Sequence, residues 1–134
     1  MCKLDFNKKD SYPSEKPSVS IIIPAFNERK FIGDTLKAIH RNPLVNEYEV
    51  IVIDNGSTDN TPRIVEENNA QLITYPNATI AAVRNKGVQA SKGEILVFLD
   101  ADVLVTPDWA ENMPKTIQEL TDNVLMLTGS RCLA

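Results

Sequence analysis

Cysteine is scarce in this 134-residue chain: there are two, Cys2 and Cys132, at opposite ends and without the spacing of a metal site. That excludes a disulfide-built scaffold, and two reduced thiols make the cytoplasm the expected compartment. Basic charge is short as well. Lys and Arg number 14 against 18 Asp and Glu, giving a net charge of −4, and the cations are scattered. The basic stripe of a nucleic-acid binder is missing, so no nucleic acid is expected as a partner. No apolar run approaches the roughly 18 to 20 residues of a membrane-spanning helix. The first 17 residues lack the apolar stretch of a secretory signal and read as a polar, flexible lead-in to one domain over 18–134. Three glycine signatures are also absent: G-x-G-x-x-G after the first strand, G-x-x-x-x-G-K-[ST] and G-x-S-x-G. Their absence disfavours dinucleotide, P-loop and nucleophile-elbow chemistry.

What is present is alternation. Apolar residues make up 43 % of the chain, enough for a core, and they come in two kinds of segment. VSIII (19–23), YEVIVID (48–54), QLITY (71–75), EILVFL (94–99) and NVLMLT (123–128) are short and β-branched or apolar throughout, which predicts strands covered on both faces. The first is expected to stop at Pro24, which has no N–H to give a ladder. Between them lie helical patterns. RKFIGDTLKAIHR (29–41) sets Ile32, Leu36 and Ile39 on one face. Thr61-Pro62 predicts a cap and first position for RIVEENN, Thr79 caps IAAVRNKGVQASK, and Gly93 ends that helix. Thr106-Pro107 repeats the start signal, and Pro114 should break or kink the helix begun there. The order β-α-β-α-β-α-β, then helix and strand, predicts an α/β fold. Its sheet is doubly wound and mainly parallel, with helices on both faces.

In such sheets ligands bind beyond the carboxyl ends of the strands. PAFNE follows strand one, DNGSTDN follows strand two and DAD follows strand four, so every unusual polar cluster falls on that rim. Asp100 and Asp102 pose the sharpest question, because two carboxylates ending an apolar run repel each other. Residues i and i+2 of an extended chain point the same way. So placed, they can converge on Mg²⁺ or Mn²⁺, which leaves positions open for phosphate oxygens. The plainer alternative is that both cap a turn. Asp54 either opens an Asx-turn or accepts from a ligand N–H or hydroxyl. Asp59 reads as a helix-start residue. Asn27 and Glu28 either begin a helix or join the site. Arg84 either reaches toward phosphates or is a solvated surface residue, and Gly87 one turn later permits a close approach to the sheet. His40 reads as surface or C-cap, and Trp109 as core.

VSIIIPAFNERKFIGDTLKAI, EVIVIDNGSTDNTPRIV and ATIAAVRNKGVQASKGEILVFLDADVLV, in this order over about 18 to 130, resemble the N-terminal half of a family 2 glycosyltransferase with the GT-A fold. The resemblance implies a nucleoside-diphosphate-sugar site, with a UDP-sugar as the expected donor. It places Pro24, Ala25, Asn27 and Glu28 along the nucleoside and gives Asp54 the uracil N3–H. Arg84 lies by the base and diphosphate, Asp100 contacts the ribose, and Asp102 binds the metal that bridges the diphosphate. It further implies inverting transfer to an acceptor hydroxyl that a carboxylate base deprotonates. In the family that base comes well after the D-x-D, so no residue here is assigned to it. The chain is therefore expected to be either a truncated piece of a longer enzyme or a short form that binds donor without transfer. Membrane attachment is expected only through a later segment, and the edge of strand five is expected either to pair with a second copy or to be covered by another segment. A haloacid-dehalogenase-like phosphatase is a remote alternative, since its D-x-D sits on the first strand and here three strands precede it.

Overall fold

The computed structural model describes residues 19–43, 47–109, 111–112 and 126–129. The lead-in over 1–17, both cysteines, Pro114 and positions 123–125 of the fifth expected strand lie outside them. Five strands form one parallel sheet: β1 (Val19–Ala25), β2 (Tyr48–Asp54), β3 (Gln71–Thr74), β4 (Ile95–Leu99) and β5 (Met126–Gly129). Between the strands lie α1 (Ile32–Arg41), α2 (Thr61–Glu67) and α3 (Ile80–Ala90), and residues 107–109 and 111–112 are helical after the Thr106-Pro107 signal. Strand order is β3-β2-β1-β4-β5. The chain builds outward from β1 through β2 to β3, then returns to the other side of β1 for β4. A topological switch therefore lies between β1 and β4, where their carboxyl ends diverge.

The three inner strands, β1, β2 and β4, are apolar on both faces because both are covered. Ile21, Ile23, Val50, Val52, Val97 and Leu99 pack toward Ile32, Leu36 and Ile39 of α1 and Val65 of α2. Their sequence neighbours Ile22, Ile51, Ile53 and Phe98 pack toward Val83 of α3. The period-2 alternation of side chains thus divides a continuous apolar run between two cores.

Several boundaries differ from the sequence-based expectation. β1 runs through Pro24 to Ala25, which pair with Ile53 and Asp54 of β2. The β1–β4 register ends at Ile22, so Pro24 sits where one side of β1 is already free and its missing N–H costs no ladder bond. α1 starts at Ile32, because 29–31 form a turn in which the amides of Phe31 and Ile32 both donate to the Glu28 carbonyl. Thr61 is the first residue of α2 and Asn60 its cap position. Thr79 caps α3 as expected, its hydroxyl oxygen accepting from the Ala82 amide at 3.1 Å. α3 ends at Ala90 with Ser91 as C-cap, so Gly93 does not end the helix. A Cβ on Gly93 would lie 2.6 Å from the Ser20 amide nitrogen, so the residue is small because the backbone passes close to β1. The Gly93 amide donates to Ser20 Oγ at 2.8 Å, and that hydroxyl donates to Glu49 at 2.6 Å, closing the amino end of the sheet.

Candidate functional site

The loop after β1 and the loop after β2 are sewn together by short polar side chains. Asn27 takes the left-handed conformation, with φ of 53°, which asparagine tolerates better than most residues. This lets its amide donate to Ser57 Oγ and its Oδ1 accept from the Thr58 amide, both at 2.8 Å. The Glu28 amide donates to Thr61 Oγ1 at 2.9 Å, and the Arg29 amide to Asp59 Oδ2 at 3.3 Å. Asp59 Oδ1 accepts from the Thr61 amide at 2.9 Å, so this acid starts α2. Desolvation is the largest single influence on the Asp59 carboxyl and raises it, but the bonds from Thr61 and Arg29 and the Arg29 charge together outweigh it and hold the group below its ordinary range.

Asp54 is 1 % exposed and folds its own loop. Its Oδ2 accepts from the amides of Gly56 and Ser57 at 3.2 and 2.9 Å, and its Oδ1 accepts from the Ser57 hydroxyl. This is the Asx-turn alternative, realised. Asn55 then reaches across to the start of α3, exchanging two 3.0 Å bonds with the backbone of Ala78.

A cavity of about 350 Å³ opens at the switch point. Pro24, Ala25 and Glu28 line one side, Asp100 and Asp102 the other. Sequence reasoning singled out all five. It missed Phe26, Asn55, Ile80, Val83 and Ala101, which complete the lining. Phe26 and Asn55 lie inside the motifs, so proximity in sequence was an available signal. Ile80 and Val83 share one helical face at i and i+3. Asn27, Asp54 and Arg84 do not line the cavity: the first two build its rim from behind. Arg84 follows Ile80 by one turn, and its Nε is buried without a hydrogen-bond partner among the described residues. It is therefore half-buried rather than solvated.

The acids of the cavity are crowded. Burial raises the Glu28 pKa above the ordinary glutamate value, and the charges of Asp102, Asp100 and Asp59 raise it further. Asp100 and Asp102 lie just past the end of β4, where the chain turns. They flank Ala101 in a turn that the Val103 amide closes on the Asp100 carbonyl at 3.3 Å. The turn still delivers both to one cavity. Among the described residues, no three His, Cys, Asp or Glu side chains gather into a ready-made metal cage.

The family model for glycosyl transferase family 2 matches residues 20–132. The chain belongs to that family. The glycosyltransferase AglE of Haloferax volcanii is 38 % identical over 111 residues, 78 % of this chain and 36 % of AglE. Chondroitin synthase of Escherichia coli is 32 % identical over 127 residues, 88 % of this chain and 18 % of the synthase. Among solved structures, a mannosyltransferase of Pyrobaculum calidifontis in complex with GDP-Man and Mn²⁺ matches with a TM-score of 0.68 and 29 % identity, over 82 % of this chain and 34 % of that one. TarS of S. aureus in complex with UDP-GlcNAc matches with a TM-score of 0.66 and 27 % identity, over 78 % and 32 % of the two chains. Across these and further curated relatives the chain spans between 18 and 49 % of their length.

Family 2 membership agrees with the doubly wound parallel sheet and removes the phosphatase alternative, whose first acid belongs on the first strand. Outside the site, His40 is half-buried and partnered rather than freely solvated, and Asn42 is the C-cap of α1. Its Nε2 lies 3.0 Å from the Asn68 carbonyl, which can only accept, so the neutral ring carries its proton there. Its Nδ1 then accepts from the Tyr48 hydroxyl at 2.7 Å. Trp109 packs on the α1-side core, as expected, and its amide donates to Thr106 Oγ1 at 3.3 Å.

Proposed function

We propose that this chain is the donor-binding part of a metal-assisted glycosyltransferase that moves a sugar from a nucleoside diphosphate, UDP by preference, to an acceptor hydroxyl with inversion. One observation carries the reading. Three carboxylates, those of Glu28, Asp100 and Asp102, converge on a single cavity at the switch point of a parallel sheet. The bound GDP-Man with Mn²⁺ and UDP-GlcNAc of the two solved relatives support it.

The donor set suits a hard divalent cation. Oxygen-only ligands, two of them flanking a turn beside a third acid of raised pKa, form a pocket of negative charge that a cation relieves. Asp102 holds Mg²⁺ or Mn²⁺, with Asp100 beside it at the ribose. When bound, the ion supplies positive charge to the departing diphosphate. The chain's own residues do the rest. The Pro24–Glu28 loop, fixed to the second loop through Asn27, lines the nucleoside. Asp54 uses three of roughly four carboxylate lone-pair sites on its own loop, leaving one for a base N–H. Arg84, whose Nε is buried with no hydrogen-bond partner among the described residues, is the cation this reading assigns to the base and diphosphate. The catalytic base lies beyond this donor half, the protein works in the cytoplasm, and β5 pairs with a second copy.

Calorimetry with UDP, with and without Mn²⁺, tests the reading. Wild type should bind more tightly with the metal, and Asp102→Ala should lose that gain while keeping metal-free affinity. An Asp102→Ala variant with an undiminished Mn²⁺ effect would overturn the assignment.

A further inference from the structure

The two acids are aimed by the residues between and after them. Ala101, Val103 and Val105 are buried in the α1-side core, Ala101 at the cavity wall, while Asp100 and Asp102 on either side of it present their carboxylates to the cavity. This alternation places a polar group in an apolar setting: the carbonyl of Ala101, a residue only 3 % exposed. The hydroxyl of Thr35 donates to it at 2.8 Å. Thr35 is 1 % exposed and lies in α1, 66 residues away in sequence. A helical threonine commonly returns its hydroxyl to a carbonyl of its own preceding turn. Here the bond leaves the helix and reaches the peptide that joins Ala101 to Asp102. The orientation of that peptide sets the direction in which the Asp102 side chain leaves the backbone.

We infer that Thr35 is a positioning residue for the acid pair: α1, through this one hydroxyl, fixes the Ala101–Asp102 peptide and hence the placement of Asp102 for a divalent cation. The inference rests on the donor-site reading above. Thr35 does not line the cavity and touches neither nucleotide nor ion. Its effect passes through a backbone carbonyl, as the partners behind metal ligands act through the ligands themselves. Loss of such partners typically weakens metal affinity about 10- to 100-fold.

The test compares wild type, Thr35→Val, Thr35→Ser and Thr35→Cys by calorimetry with UDP alone and with UDP plus Mn²⁺, with circular dichroism to verify folding. Valine keeps the shape and removes the donor. It should leave metal-free UDP affinity at the wild-type level and lower the Mn²⁺-dependent gain by about 10-fold or more. Serine keeps the donor and should restore the gain. If valine fails to fold, cysteine, with its weak S–H donor, takes its place under the same expectations. A Mn²⁺-dependent gain unchanged in valine or cysteine overturns the inference. So does a serine variant as impaired as valine, or an equal loss of metal-free binding. Wild type that binds no UDP under either condition sinks the donor-site reading itself. Wild type that gains affinity with Mn²⁺ beside an equally responsive valine variant sinks only the role of Thr35.

Discussion

At the scale of single residues, Glu28 is the most informative. Its carboxyl is raised from the ordinary 4.5 by burial, and then by Asp102, Asp100 and Asp59. An acid with a raised native pKa supports the fold while it is protonated. That support is complete below the unfolded value and is lost as pH rises through the native one. Above its native pKa the ionised Glu28 therefore opposes folding, and in alkaline buffer Glu28→Gln should melt at a higher temperature than wild type. In acid well below 4.5 the advantage should vanish, since both side chains are then neutral. Equal melting shifts at both pH values would refute this account. The sequence named Glu28 and could not decide between a helix start and a site. Its crowding arises from acids about 30 and 70 positions away, which only the folded sheet brings near. Thr35 carried no signal for the same reason, while Asp54 could be read locally because an Asx-turn is made within three residues.

At the scale of elements, periodicity carried most of the fold, and close approaches altered its edges. The strands and helices lie where apolar runs and the Ile32, Leu36, Ile39 stripe put them. β1 outruns its proline because β4 stops pairing first, a fact about a neighbour rather than about the segment. Gly87 shows the opposite case, in which a single residue type foretold a tertiary contact. A Cβ there would lie 2.4 Å from Ile22 Cγ2 and 3.4 Å from Ile53 Cγ1. Ile22 is fully buried in the middle of β1, and its branch methyl moves only with the whole side chain. Overpacking of this kind costs about 1–3 kcal/mol, against a gain of about 1 kcal/mol from replacing glycine in a helix. Gly87→Ala should therefore lower stability in urea titration by up to about 2 kcal/mol. A stabilised variant would mean that α3 rides further from the sheet.

At the scale of the whole molecule, the sheet ends at β3 on one side and β5 on the other. Light scattering should show a dimer if β5 pairs with a second copy, and a monomer at high concentration would remove that proposal. The interior is also divided unequally. Among the described residues, sixteen buried apolar side chains lie on the α1–α2 side and five on the α3 side. The thinner layer has less to lose on parting from the sheet. Its backbone amides should exchange with deuterium before those of α1, and equal protection would contradict the division. Val83 belongs to that layer and Ile80 to the same helix, so one wall of the cavity hangs on the thinner core, and a ligand seated against it should slow the exchange of the α3 amides.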